Sequence, residues 1–338
     1  MTIPNNNSGI ISVELPDAVM RAWDEAVQAP GVEYQEHGPH DAFIAEAVKR
    51  ATSAHAFEPL SSALDDLKNY RLNAVFVKNV PVDPNLVSSP TNGFRPAGKS
   101  SITERILLGL VSRDVDPFGY EQEKGGRLVH EVAPVPGLEK TLSNGSREVF
   151  AAHMDNAFLD QAYRPFWLAL IGLVNPTRVA TWVYSLRQVL SNMEPALVAD
   201  LYRQEFRLRC PDSFKFPEAV WVPNRAILET VRGTTIGGFN HGYNVEATTA
   251  RAQRALDALN RAVDNTPAEE IVIVPGTVLI FNNTSVLHGR AKIEAAGERW
   301  LQRVYGTADL GRLQQASGQV GRVFDTVRFL PAPYHRAA

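Results

Sequence analysis

His153 stands two residues before an acid, in the triplet His153-Met154-Asp155. Side chains at positions i and i+2 of a strand point to one face, so an imidazole and a carboxylate there can share one divalent metal ion. The triplet alone is weak. With 8 His and 37 Asp+Glu in 338 residues, about one such triplet is expected by chance. A sharper signal lies downstream. The segment from Ile271 to Arg290 reads IVIVPGTVLIFNNTSVLHGR: a strand, a Pro275-Gly276 turn, a second strand, an Asn282-Asn283 turn, and then Val286-Leu287-His288-Gly289-Arg290. After it comes Arg299-Trp300-Leu301-Gln302-Arg303-Val304-Tyr305. Arg299 follows His288 by 11 residues and Arg303 follows it by 15. The two arginines are four apart, so a strand would present both on one face.

The elements that must carry these residues follow from periodicity and turn chemistry. Apolar residues at helical spacing predict helices over 16–29, 41–52, 57–70 and 102–115. A strand is expected over 72–80, ended by Pro81, and a loop over 88–101, which is rich in Pro, Gly, Ser and Asn. From about Gly126 short β-prone runs take over, at 128–132, 177–184, 219–222, 226–231, 271–274, 278–281 and 300–305. A helical insertion is expected over 248–263. There are no repeats, and no linker is long enough to separate a pair of domains. A helical flank followed by many short strands predicts an α+β chain built on a β-sandwich or jelly roll.

His-x-Asp, a distal His-Gly-Arg and an Arg-Trp-Leu-x-Arg strand together resemble the Fe(II)/2-oxoglutarate-dependent oxygenases of the taurine dioxygenase and clavaminate synthase branch, over roughly 128–306. The subgroup most resembled hydroxylates free L-amino acids, as the arginine and asparagine β-hydroxylases do. The resemblance implies a double-stranded β-helix (jelly roll) core with flanking helices. It implies a single oxygenase domain over 1–338, with a helical flank to about residue 120, a core over about 125–310 and a helical insertion at about 245–265. It implies His153, Asp155 and His288 as the ligands of Fe(II), with open positions for 2-oxoglutarate and O2. Arg299 matches the position that grips the far carboxylate of 2-oxoglutarate, a task suited to a planar two-donor guanidinium. Thr181 resembles the hydroxyl that joins it. Halogenating relatives leave the carboxylate position to a small residue. Asp155 fills it here, which favours hydroxylation or desaturation.

For the substrate, Arg303 resembles the arginine that holds a substrate carboxylate, and Ser143 resembles a substrate-contacting serine. His130 and Glu131 are candidates for the substrate amine or carboxylate. The segment GTTIGGFNHGYN, from Gly233 to Asn244, has the glycines of a mobile loop over the site. Arginine hydroxylases of the subgroup carry two acids in this region. Asn240 and Gly242 stand here instead, which points to a neutral polar side chain, with Glu246 and Asp212 as the acids left to serve a cationic one. The expected reaction is hydroxylation of a free L-amino acid or small derivative, with release of succinate and CO2. Alternatives are desaturation or cyclisation, another small carboxylate as substrate, a zinc hydrolase, and a metal-free jelly-roll binding protein.

Composition narrows the rest. The chain is 44% hydrophobic and 21% charged, with Lys+Arg 34 against Asp+Glu 37. A net charge of −3 gives no broad basic field for nucleic acid. One cysteine, Cys210, excludes a disulfide scaffold. The longest apolar run, 166–174, is too short to span a bilayer. No basic leader precedes an apolar stretch near Met1, so a cytoplasmic enzyme is expected.

Overall fold

A computed structural model describes residues 9–138, 145–294, 298–332 and 334. In chain order the strands are β1 (Ile10–Glu14), β2 (Ala74–Lys78), β3 (Asp116–Tyr120), β4 (Val129–Val132), β5 (Phe150–His153), β6 (Trp167–Val174) and β7 (Thr181–Ser185). Then come β8 (Phe206–Arg209), β9 (Trp221–Arg225), β10 (Leu228–Val231), β11 (Thr234–Gly237) and β12 (Val245–Ala247). The last are β13 (Glu269–Ile271), β14 (Thr277–Asn282), β15 (Val286–Arg290), β16 (Trp300–Thr307) and β17 (Val323–Phe324). The large sheet runs β1-β2-β14-β6-β16-β3-β17, with β4 also on β16, and a smaller one runs β13-β7-β15-β5. Helices and sheets are mixed as an α+β chain.

Alternation along the large sheet explains its two faces. In β6, Leu168 and Leu170 join the core shared with the small sheet, whereas Trp167, Ala169 and Ile171 join the core under the N-terminal helices. β14 and β16 divide the same way, with Phe281, Leu301 and Tyr305 on the first side and Ile280, Trp300 and Val304 on the second. This is the period-2 pattern of a strand. The apolar run 166–174 is the central strand β6, paired with β14 and β16 and covered on both faces.

The N-terminal helices α1 (Asp17–Gln28), α2 (Asp41–Arg50), α3 (Thr52–His55), α4 (Glu58–Lys68) and α5 (Ile102–Val111) form the outer layer. Trp23 and Val27 of α1 are buried four residues apart, as are Phe43 and Ala47 of α2. α5 is buried along its whole length, packed between α2 and strands β6 and β16. Among the expected strands that come out shorter, two have a cause in a side-chain turn. β7 starts only at Thr181, because Asn175 turns the chain, its side chain accepting from Val179 N at 2.9 Å. The segment 272–274 leaves the sheet because Val274 is drawn into a turn with Thr277 Oγ1. The helix at 248–263 is found as Ala250–Asp264, capped by the Thr249 side chain. No helix among the described residues is long and apolar enough to cross a membrane.

Candidate active site

β15 pairs with β5 so that His288 lies opposite His153, which places the two imidazole rings 4.2 Å apart between centroids. That approach needs a glycine at 289. A Cβ there would stand 2.7 Å from the carbonyl oxygen of Phe150 in β5. Asp155 joins the two rings, with Oδ1 at 3.3 Å from His153 Nε2 and 3.9 Å from His288 Nε2. One ligand atom from each residue lies within 4.8 Å of the others, and all three side chains are buried. This is the only such His/Cys/Asp/Glu cluster among the described residues.

The strand-face argument for the triplet needs correction. β5 ends at His153, and Asp155 lies in the turn beyond it. What aims the carboxylate is Asn283. Its Oδ1 accepts from Asp155 N at 2.8 Å, while its Nδ2 donates to the carbonyls of Asp155 and Pro165 at 3.0 and 3.1 Å. A side-chain amide thus replaces a strand partner. In the sequence Asn282-Asn283 reads only as a turn, and no sequence signal marks a side chain that binds a backbone 128 residues away.

The donor set suits a divalent metal. His153 Nδ1 bonds the carbonyl of Ala151 at 2.9 Å, which fixes the ring with Nε2 toward the cluster. Burial, with the neighbouring His153, pushes His288 down to about 3, so its ring is neutral at pH 7. Burial would push the Asp155 carboxyl up, but the Arg303 guanidinium and the imidazoles outweigh it and hold it well below the carboxylate range. Two lone pairs and one anion therefore converge on a dry point.

Beyond the cluster lies a cavity lined by His153, Thr181, His288, Arg290, Arg299 and Arg303 with apolar neighbours. Arg299 is 4% exposed, and its Nη2 donates to Thr181 Oγ1 at 2.8 Å. No carboxylate among the described residues pairs with it, and its buried Nε has no acceptor. Burial, and then the charge of Arg290, push Arg299 down to about 9, which still leaves it cationic at pH 7. An uncompensated buried charge of this kind is costly and awaits an anion.

Arg303 lines this cavity and the second one, on the far side of Asp155. Its Nη1 donates to Asp155 Oδ2 at 2.8 Å, and its Nη2 lies 2.8 Å from both Glu123 Oε1 and His130 Nδ1. His130 is buried behind Arg303. Since Nδ1 accepts from Arg303, Nε2 carries the proton that goes to the Arg127 carbonyl at 3.0 Å. Glu131, its neighbour on β4, points to the opposite face and bonds Trp300 Nε1 and Gln302 Nε2. Glu123 has no motif around it to mark it in the sequence. It is 2% exposed, lines a second cavity with Arg303 and Asn240, and leaves Oε2 without a partner. Ser143 lies outside the described residues.

The segment from Gly233 to Asn244 is less loop-like than its glycines suggest. β11 pairs with β10, Gly237 N donates to Thr284 O, and Met154 N donates to Phe239 O at 2.9 Å. Asn240 bridges to His153, and its amide, oriented by its surroundings, donates to the carbonyls of Met154 and Phe239. Tyr243 and Asn244 complete that wall of the second cavity. Asp212 and Glu246 are absent from both linings: they pair at the surface with Arg209 and Arg207.

Comparison with known proteins follows the same lines. The family model described as Taurine catabolism dioxygenase TauD, TfdA family matches residues 52–305. L-asparagine oxygenase of Streptomyces coelicolor is 28% identical over 315 residues, covering 88% of this chain and 90% of that protein. The solved structure of asparagine oxygenase with Fe(II), 2S,3S-3-hydroxyasparagine and succinate is similar at TM-score 0.79 and 26% identity, covering 93% of this chain and 99% of that one. The non-heme iron oxygenase OrfP with Fe and alpha-ketoglutaric acid is similar at TM-score 0.77 and 25% identity, with the same coverage of 93% and 99%.

Proposed function

This chain belongs to the TauD/TfdA dioxygenase family, and from that membership we propose that it catalyses Fe(II)- and 2-oxoglutarate-dependent hydroxylation of a free L-amino acid or small derivative, releasing succinate and CO2. The observation that carries the reading is a buried His-Asp-His cluster whose two imidazoles line the same cavity as a guanidinium without a carboxylate. His153, Asp155 and His288 hold the iron. When bound, iron supplies activation of O2 coupled to oxidative decarboxylation of 2-oxoglutarate. Arg299 and Thr181 hold the far carboxylate of that cosubstrate, with Arg299 presenting its unused donors. The two facing sheets act as the walls of a double-stranded β-helix, and one oxygenase domain spans the chain.

Arg303 and Glu123 suit the head of an amino acid: a guanidinium for the carboxylate, and a free carboxylate oxygen for the ammonium. His130 acts through Arg303, and Glu131 is turned away from the cavity. The side chain of the substrate then meets Asn240, Tyr243, Asn244 and Ser213 with Met154 and Phe150, all of them neutral. A neutral polar side chain fits that wall better than a cation does, because a buried cation needs a carboxylate.

Purified protein supplied with Fe(II), ascorbate and 2-oxoglutarate, offered a panel of L-amino acids, should release succinate with its substrate. The product should gain the mass of one oxygen. Loss of two hydrogens would replace hydroxylation by desaturation, and no succinate with any amino acid would sink the reading.

A further inference from the structure

The cosubstrate cavity contains a second buried cation beside Arg299. Arg290 is 6% exposed. It lies two residues past His288 on β15 and is in register with Thr181 on β7, so it shares the inward face with both. It lines the same cavity as Arg299. Its Nη1 donates to the carbonyl of Ala291 at 2.9 Å and its Nη2 to that of Ser146 at 2.8 Å. Two carbonyls accept from the guanidinium but leave its charge unbalanced. Among the described residues neither Arg290 nor Arg299 has a carboxylate within ion-pair distance; the Glu148 side chain that influences Arg290 is exposed and forms no such pair. A guanidinium stays protonated at pH 7, so Arg290 too is cationic.

Two like charges buried in one cavity repel each other, and packing alone would be served better by an apolar side chain. The arrangement becomes favourable when a ligand brings two negative charges. We propose that Arg290 is a positioning residue for the cosubstrate: its charge, added to that of Arg299, selects a dianionic 2-oxo acid over a monoanionic one. Its bond to the Ser146 carbonyl ties the guanidinium to the 145–147 segment and fixes where that charge sits. Arg147 and Ile293 pair across this segment too, Ile293 N donating to Arg147 O at 2.8 Å.

The inference rests on the oxygenase reading, and the test separates the two. Fe(II)-loaded protein is titrated without oxygen, following the visible charge-transfer absorption of a chelated 2-oxo acid. The titrants are 2-oxoglutarate and pyruvate, which chelates in the same way but has no far carboxylate. Arg290→Gln should weaken 2-oxoglutarate roughly tenfold and leave pyruvate unchanged, while Arg290→Lys should restore most of the lost affinity. Equal weakening of both acids, no weakening of either, or failure of lysine to rescue would show Arg290 to be a wall residue only. If Arg290→Gln does not fold, Arg290→Lys decides alone: its preference for 2-oxoglutarate over pyruvate should match that of the unaltered protein, and loss of that preference overturns the proposal. Unaltered protein that chelates neither acid would sink the oxygenase reading itself.

Discussion

Buried charge lies against both faces of strand β16, and it is neutralised in one place and left unmatched in another. On the outer face Gln302 donates to Glu104 and Glu131 at 2.9 Å each, and Glu104 is paired with Lys99 at 2.8 Å and Arg95 at 3.0 Å. Burial would raise the Glu104 carboxyl, yet Lys99 and Arg95 more than offset it and hold it low. On the inner face Arg303 is matched by Asp155 and Glu123 at 2.8 Å each, but Arg299, just before the strand, has a threonine hydroxyl and nothing negative. A charge matched within the protein fastens helix α5 to the sheet. A charge left unmatched at similar depth marks the place for a ligand. Burial does not separate the two cases; neutralisation does.

The largest effect should follow from breaking the metal cluster on the inner face. His288→Ala removes one of three ligands, and with it the cross-strand partner of His153. Succinate release should fall at least a thousandfold, and bound iron, measured by metal analysis, should fall with it. Retained iron with retained turnover would mean that the cluster is not the metal site.

Next come substitutions that remove charge from each face. Glu104→Leu leaves Lys99 buried without its carboxylate and should cost about 3–5 kcal/mol of stability, read from thermal or urea unfolding. It should leave the dissociation constant for 2-oxoglutarate nearly unchanged. Arg299→Met should do the reverse: abolish cosubstrate binding while stabilising the ligand-free protein by about 1–4 kcal/mol. If both variants lost stability alike, the contrast between the faces would be false.

A smaller effect is a pH slope. Burial, and then the neighbouring Glu104, push Glu131 up to about 7. Its ordinary value is near 4.5, so the folded state holds this proton more tightly than the unfolded one. The stability this confers is complete below about pH 4.5 and is lost as pH rises to about 7, by roughly 3 kcal/mol. Asp155 has the opposite sign: its lowered pKa favours folding above the ordinary carboxylate value and loses that support in acid. Glu131→Gln should flatten the decline in unfolding midpoint between about pH 5 and pH 7. An unchanged slope would remove Glu131 as its source.

Legibility in the sequence follows the same division. The helices and the strands carrying His288, Arg299 and Arg303 announce themselves by period and turn chemistry, because those signals are local. Strand alternation also puts Arg299 and Arg303 on one face as expected. Asp155 reaches the cluster for a reason outside its own segment, the amide of Asn283. Glu123 sits in a turn with no motif, and only the fold carries it to Arg303. Strand β1 pairs in parallel with β2 across helices α1 to α4, a partnership that no local pattern encodes. The glycine-rich stretch before Asn240 has the composition of a loop. Bonds to Thr284 and Met154, distant in the chain, hold it as a wall.

The smallest effect should come from Asp212 and Glu246, the acids nearest in sequence to the substrate wall. Asp212 bonds Arg209 Nη2 at 2.6 Å, and Glu246 pairs with Arg207 across β8 and β12. Both acids are exposed, and neither lines either cavity of the site, so each pair contributes about 1 kcal/mol or less. The double variant Asp212→Asn, Glu246→Gln should therefore keep the preference among amino acids and a melting temperature close to the original. Its informative reading is with arginine or lysine as substrate. Were either of these turned over by the unaltered protein and lost in the double variant, exposed acids would be reaching into the site. The neutral wall around Asn240 would then not be what sets substrate charge.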